Sequence, residues 1–399
     1  MQYRNITTDE QLREYCLGLS HAKSIAFDTE FVSEHTYRPV LCLIQVAADG
    51  ELAVIDPIAI SDVRLFWEAI AAAGHETIVH AGRGELEFCL QAVDRWPERL
   101  FDVQIAAALA GAEYPAGLGS LISRFLGHPP PKHETRTDWR RRPLSKRQIE
   151  YAVNDARFLQ PLRDAIHAKL SELGRLGWLE DEMEAWRREI LHSLSQERWR
   201  RVSGNSGLDA RTLAIVRELF HWRDAEARRR NQPARRVLRD DLIVEIARRG
   251  SADVKHIQAV RGMERGDLQR RMGEMAAAVQ RALDLPDAEC PERPSRERVP
   301  ELSVLGQFLF AALGSIAREA QLAPNLVGTP GDIREWMAYR ATRAHATHDN
   351  PPQLAHGWRA EFVGRLFEDL LDGKLSIRVA DPTSDHPLAF ERHDRDAGR

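Results

Sequence analysis

With 399 residues, of which 43% are hydrophobic and 29% charged, the chain has the composition of an ordinary globular protein and is long enough for two or three domains. Its 56 lysines and arginines are nearly balanced by 60 aspartates and glutamates, which excludes binding of nucleic acid through overall positive charge. Any such binding must come from local clusters of basic residues.

Cysteine spacing and hydropathy indicate the compartment. The four cysteines are widely separated and form no C-x-x-C pair, so we expect neither disulfides nor a zinc site. The N-terminal residues lack an apolar stretch of the secretory type. The longest uncharged run, residues 302–317, is shorter than the ~20 residues that cross a membrane and is predicted to be a buried helix. We therefore expect a cytoplasmic protein without membrane contact.

Short strand-like runs alternate with helical periodicity in the N-terminal part of the chain. The runs SIAFDTE, LCLIQVA, LAVIDP and TIVHA favour β-strands. The first three are joined by short connections and the later ones by helices, which predicts a mixed sheet covered by helices.

Strand signals nearly vanish in the second half. Residues 208–230 and 239–250 have the periodicity of amphipathic helices, and a second helical block follows the proline-rich linker 284–300. The predicted domains are an α/β domain over 1–195, helical domains over 206–285 and 300–376, and a C-terminal tail over 377–399.

Two carboxylates interrupt the first strand-like run. Alternate side chains of a strand point to opposite faces, so Asp28 and Glu30 share one face, while Ile25, Phe27 and Phe31 face the core. Like charges this close raise each other's pKa unless a cation compensates, which favours a metal site. A solvated strand end remains the alternative.

Further candidates lie on predicted helices. Glu85 begins the helix after TIVH, where an acidic residue also complements the helix dipole. Tyr151 and Asp155 are four residues apart and share a helix face, a spacing that also occurs by chance.

The joint pattern is more specific than its parts. The chain resembles the tyrosine-containing subgroup of the DEDD exonucleases in three motifs and their order. These are D-x-E on the first strand, an acidic residue after the histidine-containing strand, and Y-x-x-x-D on a later helix. The segment KHETRTDWRRRPLSKRQIEYAVNDARFLQPL is similar to the corresponding segment of the ribonuclease D family. Residues 208–283 resemble an HRDC domain, and the second helical block occupies the position of another HRDC-like domain.

This resemblance implies an α/β, RNase H-like 3′→5′ exonuclease domain with a mixed sheet, followed by two all-α HRDC-like domains. It also implies a monomeric exoribonuclease that trims tRNA precursors with 3′ extensions and releases nucleoside 5′-monophosphates with two divalent cations, Mg²⁺ or Mn²⁺. Asp28 would bind both ions, Glu30 and Asp155 would complete their ligand sets, and Tyr151 would orient the attacking water. A phenol with a pKa near 10 is a poor base at neutral pH, so we expect positioning rather than proton removal.

Glu85 departs from the family pattern, which usually has aspartate as the third acid. The extra methylene adds a torsion and shifts the carboxylate, whereas ligand distances tolerate only about 0.2 Å. We expect an active enzyme in which Glu85 still serves the metal site. The alternatives are a catalytically weakened RNA-binding protein and a 3′→5′ DNA exonuclease.

Two basic clusters are candidates for contact with the RNA backbone, with a solvated surface as the alternative. Trp139, within the first cluster, either stacks on a base or anchors its loop. The basic candidates are Lys132, Arg136, Arg140 and Arg142 in the first cluster, and Arg229 and Arg236 in the second.

Overall fold

A six-stranded mixed sheet forms the centre of the N-terminal domain. The computed structural model describes residues 2–128, 137–195, 197–292, 303–342 and 351–393. The strands are β1 (Arg4–Ile6), β2 (Ser24–Val32), β3 (Val40–Ala48), β4 (Glu51–Ile55), β5 (Glu76–Val79) and β6 (Arg99–Asp102). Their order is β1-β4-β3-β2-β5-β6, with β2-β3-β4 antiparallel and the other pairs parallel. This confirms the predicted mixed sheet.

In the described residues of this domain, eight α-helices cover the two faces of the sheet. They are α1 (Asp9–Leu19), α2 (Arg64–Ile70), α3 (Arg83–Val93), α4 (Val103–Leu109), α5 (Leu118–Leu126), α6 (Lys146–Arg157), α7 (Leu159–Glu172) and α8 (Leu176–Ser195). Ile25 and Phe27 of β2 pack into one apolar cluster with α1, α2 and α3, whereas Ala26 packs into a second cluster with α4, α5 and α7. Because both faces are buried, the central strands have nearly continuous apolar sequences.

The end of β2 differs from the prediction. The pairing of β2 with β3 shifts register between Glu30 and Phe31. Such irregularities bend a strand and redirect its side chains. Phe31 is therefore 39% exposed, with its ring against Phe88 at a centroid distance of 5.6 Å, and its assignment to the core was wrong.

A separate helical domain follows the sheet, as predicted. Its α-helices are α9 (Ala210–Arg230), α10 (Ala234–Val237), α11 (Asp240–Arg249), α12 (Val254–Gln258), α13 (Gly266–Gln269) and α14 (Met272–Leu283). Short 3-10 helices lie at Arg198–Arg201 and Asp287–Glu289. Trp199, Leu219, Ile243 and Val279 belong to an apolar core of its own.

This helical domain contacts the connection between β2 and β3. The hydroxyl of Tyr37 donates a hydrogen bond to Asp224 Oδ2 at 2.7 Å, and its backbone N–H donates to Asn231 Oδ1 at 3.3 Å. Arg236 Nη2 lies 3.1 Å from Nδ1 of His35. The β2-β3 connection thus joins the end of β2 to the helical domain.

The C-terminal block contains helices and a β-hairpin. The α-helices are α15 (Val304–Glu319), α16 (Pro324–Val327), α17 (Pro330–Thr342), α18 (Gly357–Arg359) and α19 (Arg365–Leu371). A 3-10 turn at Gln353–Ala355 and a π-helical turn at Ala360–Gly364 complete the block. The predicted helix in the uncharged run is α15, and no helix in the described ranges is long and apolar enough to cross a membrane.

The hairpin corrects two sequence predictions. Strands β7 (Leu375–Val379) and β8 (Leu388–Arg392) pair antiparallel, so the block is not all-α and the segment 377–399 is not simply a tail. Ile377 and Phe390 are cross-strand partners that pack against the apolar core, which explains why these short strands form.

The C-terminal block shares its core with the N-terminal domain. Residues of α15 and α17 lie in the same apolar cluster as those of α4, α7 and α8. Arg359 forms a buried ion pair with Glu182 of α8, and Trp358 Nε1 donates to Glu182 Oε1 at 2.8 Å. Arg175 donates to the backbone oxygens of Leu109 and Gln321 at 2.7 and 2.9 Å. The block is therefore packed onto the N-terminal domain rather than linked loosely to it.

Candidate active site

Three carboxylates meet where β2 passes beneath α6. Asp28, Glu30 and Asp155 each offer an oxygen within 4.8 Å of the others. They line a cavity of about 310 Å³. Its remaining lining residues are Thr29, His80, Leu118, Gly119, Tyr151 and Leu159. The structure therefore brings together four of the five predicted catalytic side chains.

The start and packing of α6 fix the two residues that it contributes. Ser145 and Gln148 form a capping box, in which Ser145 Oγ accepts from Gln148 N at 3.2 Å and Gln148 Oε1 accepts from Ser145 N at 2.9 Å. Ala152 and Val153 are buried against β3 and β4. Tyr151 and Asp155, one turn apart, consequently project toward the carboxylates of β2.

Burial raises the pKa of each of the three carboxylates, and nearby negative charges raise those of Asp28 and Glu30 further. For Asp28 the pKa rises well above its usual value, because of burial first and then the negative charges of Glu85, Asp155 and Glu30. Burial, Asp155 and Glu85 raise the pKa of Glu30 to about 8. Burial raises the pKa of Asp155 to about 6, although a hydrogen bond from Tyr151 opposes this shift.

Tyr151 is held as a neutral hydrogen-bond donor. Burial and the nearby charges of Asp155 and Glu30 raise the pKa of its phenol above the ordinary value of 10. Its ring lies 6.2 Å from that of Trp139, with an angle of 35° between the planes. Tyr151 can orient a polar group in the cavity but is too weakly acidic to serve as a base at neutral pH.

Glu85 lies beside the group rather than in it. It is buried in the first turn of α3, where Thr29 Oγ1 donates to its Oε1 at 2.6 Å. Thr29 follows Asp28 on β2 and faces the opposite side of the strand. The predicted third acid is therefore near enough to affect the pKa of Asp28, while its carboxylate is engaged by a threonine.

The entry into α3 leaves little freedom for Glu85. A Cβ atom on Gly82 would lie 2.4 Å from Val79 Cγ2, so a glycine is required at this close approach. The backbone N–H of Gly82 donates to the buried Asp102 Oδ2 at 2.9 Å. Asp102 also caps α4 by accepting from Gln104 N at 2.8 Å.

Two residues of the first basic cluster have structural contacts within the protein. Trp139 is 6% exposed and packs among residues of β3, β4 and α6, which supports the predicted role of anchoring the loop. Arg142 makes two hydrogen bonds to Asp56, at 2.5 and 2.7 Å, and a third to the backbone oxygen of Cys42 at 2.7 Å. Both side chains are thus held by contacts within the protein, and their contacts with RNA remain predictions.

The other predicted contacts have different surroundings. Arg140 pairs with Asp138 at 2.9 Å and Arg229 with Glu226 at 2.8 Å, and both are partly exposed. Arg236 contacts His35, as described above. Lys132 and Arg136 lie outside the described residues.

Sequence reasoning missed three polar residues at the site. Thr29 holds Glu85, and Gln45 Nε2 donates to Asp28 Oδ2 at 3.2 Å from the directly opposite position on β3. His80 lines the cavity, with its Nε2 2.9 Å from the backbone oxygen of Ala116. Gln45 could have been found, because it is a polar residue within the apolar run LCLIQVA.

The donor set fits a hard divalent cation. All members of the group are carboxylates, and neither histidine nor cysteine belongs to it. Oxygen ligands of this kind suit Mg²⁺ or Mn²⁺, and a bound cation would offset the repulsion that raises the pKa values of Asp28 and Glu30. Gln45 Oε1 is buried beside Asp28 without a hydrogen-bond partner, so the local polar network is incomplete among the described atoms.

Comparisons with known proteins agree with this geometry. Residues 3–171 match a family described as 3′-5′ exonuclease, and residues 212–279 match the HRDC domain. The chain is 31% identical to ribonuclease D of Nitrobacter hamburgensis, covering 94% of this chain and 96% of the relative. It is 32% identical to ribonuclease D of Zymomonas mobilis, and the similarity covers 95% of this chain and 97% of the relative.

A solved structure extends the similarity to the arrangement of domains. It is Escherichia coli RNase D, described as an exoribonuclease involved in structured RNA processing. The TM-score is 0.79 and the sequence identity 27%, and the match covers 94% of this chain and 99% of that chain. Fold and site thus define a 3′→5′ exonuclease with an RNase H-like domain followed by an HRDC domain. The chain belongs to the ribonuclease D family. Neither a weakened RNA-binding protein nor a DNA exonuclease is favoured by this full-length similarity.

Proposed function

We propose that the protein is a metal-dependent 3′→5′ exoribonuclease that removes nucleotides from the 3′ ends of tRNA precursors and releases nucleoside 5′-monophosphates. The observation that carries the proposal is the meeting of Asp28, Glu30 and Asp155 with Tyr151 in one cavity. The full-length similarity to ribonuclease D gives this cluster a reaction, the hydrolysis of RNA.

The three carboxylates would hold two divalent cations, Mg²⁺ or Mn²⁺. Bound cations of this type supply an activated water molecule and offset negative charge on the leaving 3′ oxygen. Asp28 is the central ligand in this proposal, because the negative charges of all three other acids, Glu85, Asp155 and Glu30, act on its carboxylate. Gln45, which donates to Asp28, fixes the orientation of that carboxylate.

Tyr151 and Glu85 have supporting roles. Tyr151 keeps its proton and orients the attacking water by hydrogen bonding. Glu85 adds negative charge beside Asp28, and the hydrogen bond from Thr29 limits its movement toward the cavity. We propose that Glu85 acts as the fourth acid of the metal site despite the substitution for aspartate.

The surrounding surface would guide RNA to this cavity. Arg140 is partly exposed near the cavity, and Arg229 and Arg236 lie on the helical domain. The partners of Arg140 and Arg236, Asp138 and His35, are partly exposed, and such surface contacts contribute little and exchange readily with phosphate, whereas Arg229 pairs with the buried Glu226. Cytoplasmic location and a monomeric state remain predictions, checked by cell fractionation and light scattering.

The direct experiment follows degradation of a structured RNA with a short single-stranded 3′ tail in Mg²⁺ or Mn²⁺. We expect stepwise shortening from the 3′ end, with nucleoside 5′-monophosphates as products, and no shortening in EDTA. A DNA strand of the same sequence measures the preference for RNA. RNA binding without shortening in either ion would refute the proposed activity, and faster cleavage of the DNA would favour a DNA exonuclease.

A further inference from the structure

A second surface, next to the cavity, combines aromatic rings with exposed arginines. Arg124 lies over the ring of Phe125, 5.8 Å from its centroid, and Arg157 lies over Phe158 at 5.4 Å. The rings of His128 and Phe158 are 6.1 Å apart and tilted by 45°. We call these five residues, from the end of α5 and the junction of α6 with α7, the aromatic platform.

The two arginines of the platform remain available to a ligand. Both are exposed, and neither has a carboxylate within ion-pair distance among residues whose placement is described. Arg140 and Arg229, by contrast, are each paired with an acidic neighbour. At 5.4 and 5.8 Å from the ring centroids these guanidinium groups are not in flat stacking contact with the rings, so their N–H donors can bind phosphate.

The rings of the platform are only partly covered. Phe125 and Phe158 pack against the core beneath α5 and α7, yet both retain exposed surface, and His128 is exposed. A partly exposed ring that packs against the core is restricted in its movement. It can therefore stack with a base at little further cost in conformational entropy.

The platform is continuous with the wall of the catalytic cavity. Leu159, which lines the cavity, directly follows Phe158. Leu118 and Gly119, at the start of α5, line the same cavity, and Phe125 lies about 10 Å further along that helix at a rise of 1.5 Å per residue. A strand whose 3′ end occupies the cavity therefore has its preceding nucleotides within reach of the platform.

We propose that the aromatic platform binds the single-stranded nucleotides immediately upstream of the 3′ end of RNA, with bases stacked on Phe158 and His128 and phosphates bound by Arg124 and Arg157. Aromatic rings with cations are the usual means of binding single strands independently of sequence. The two arginines also offset the electrostatic repulsion between the RNA phosphates and the carboxylates of the cavity. This inference rests on the proposed exoribonuclease function and extends its binding site.

The test compares two substrates, an RNA with a long single-stranded 3′ tail and a dinucleotide too short to cover the platform. In the double variant Arg124→Glu/Arg157→Glu we expect kcat/KM to fall about tenfold more on the tailed RNA than on the dinucleotide, mainly through KM. The matched control is Arg13→Glu, an exposed arginine on α1, which covers the opposite face of the sheet. It should give the same kinetics as the native protein on both substrates.

A second pair of variants separates stacking from packing. Phe158→Leu keeps an apolar side chain against the core but removes the ring, whereas Phe158→Tyr keeps the ring. We expect Phe158→Leu to lower kcat/KM on the tailed RNA and Phe158→Tyr to have a kcat/KM close to that of the native protein. Equal losses on both substrates, or an effect of Arg13→Glu as large as that of the double variant, would overturn the proposal.

A binding measurement keeps the two proposals distinct. If the native protein cleaved neither substrate, the proposed activity would fail, but fluorescence anisotropy with the tailed RNA in EDTA would still test the platform. Weaker binding by about tenfold in Arg124→Glu/Arg157→Glu would support it. Unchanged affinity in that variant would refute it.

Discussion

Asp28, Glu30 and Asp155 are unusual because burial places them where repulsion between their charges is poorly screened. Their pKa values are all raised, so the folded protein without cations holds protons that the unfolded chain releases. The cluster consequently destabilises the metal-free fold at neutral pH. Such a cost is typical of a site arranged for a ligand rather than for stability.

The destabilisation by these carboxylates predicts that the free energy of unfolding of the metal-free protein depends on pH. The pKa of Glu30 rises from 4.5 to about 8, so the folded state binds more protons than the unfolded state between these values, and the free energy of unfolding falls as pH rises through them. Glu30→Gln should weaken this fall and stabilise the metal-free protein at pH 8 by about 1–2 kcal/mol, because part of the repulsion remains. Urea unfolding in EDTA at several pH values measures the effect.

The control for this prediction is Glu34→Gln, which removes an exposed carboxylate just beyond β2. It should leave the pH dependence as in the native protein. The same slope for Glu30→Gln and the native protein would mean that Glu30 is not buried among like charges.

At the scale of elements, the segment between α5 and α6 illustrates how a basic sequence can be structural. Its charged residues predicted a surface for RNA, but Trp139 and Arg142 anchor the segment to β3, β4 and Asp56. This anchoring supports the ring of Tyr151 through Trp139. The segment therefore helps to position the catalytic side chains.

Arg142→Lys tests this anchoring role. Lysine cannot form the paired hydrogen bonds to Asp56 or reach the carbonyl of Cys42 at the same time, so we expect a loss of about 1–3 kcal/mol in the free energy of unfolding. The control is Arg141→Lys, whose side chain is 86% exposed and which should change stability by less than about 0.5 kcal/mol. Urea denaturation compares the two variants, and equal effects would show that the contacts of Arg142 are not structural.

The sequence was most informative where local periodicity determines the geometry. Alternation along β2 predicts that Asp28 and Glu30 share a face, and helical spacing predicts the same for Tyr151 and Asp155. The exposure of Phe31 could not be predicted, because it depends on a register shift between two strands. The hydrogen bond from Thr29 to Glu85 joins elements distant in sequence, and no local pattern indicates it.

At the scale of the whole molecule, the three parts of the chain are joined in different ways. The HRDC domain has its own apolar core and meets the exonuclease domain through polar contacts at Tyr37 and His35. The C-terminal block instead shares an apolar core with the exonuclease domain. Removing or loosening this block should therefore affect the stability of the catalytic domain.

Arg359→Leu tests the coupling between these two parts. It leaves Glu182 as a buried charge without its arginine, so we expect a loss of about 3–5 kcal/mol in the free energy of unfolding. Arg365→Leu removes an arginine that is 74% exposed and pairs only distantly with Glu361, and it serves as the control. Calorimetry should show that the exonuclease domain of Arg359→Leu unfolds at a lower temperature than that of the native protein. An unchanged transition in that domain would mean that the two parts unfold independently.

The decisive experiment measures single-turnover release of the 3′ nucleotide from RNA in Mn²⁺ by the native protein, Asp28→Asn and Glu85→Asp. Asp28→Asn keeps the shape of the side chain but loses its charge within the three-carboxylate group. We expect release by the native protein and by Glu85→Asp, and a loss of at least about 10³-fold in Asp28→Asn. Release that persists in Asp28→Asn, or that occurs only in Glu85→Asp, would contradict the assignment of this chain as an active metal-dependent exoribonuclease.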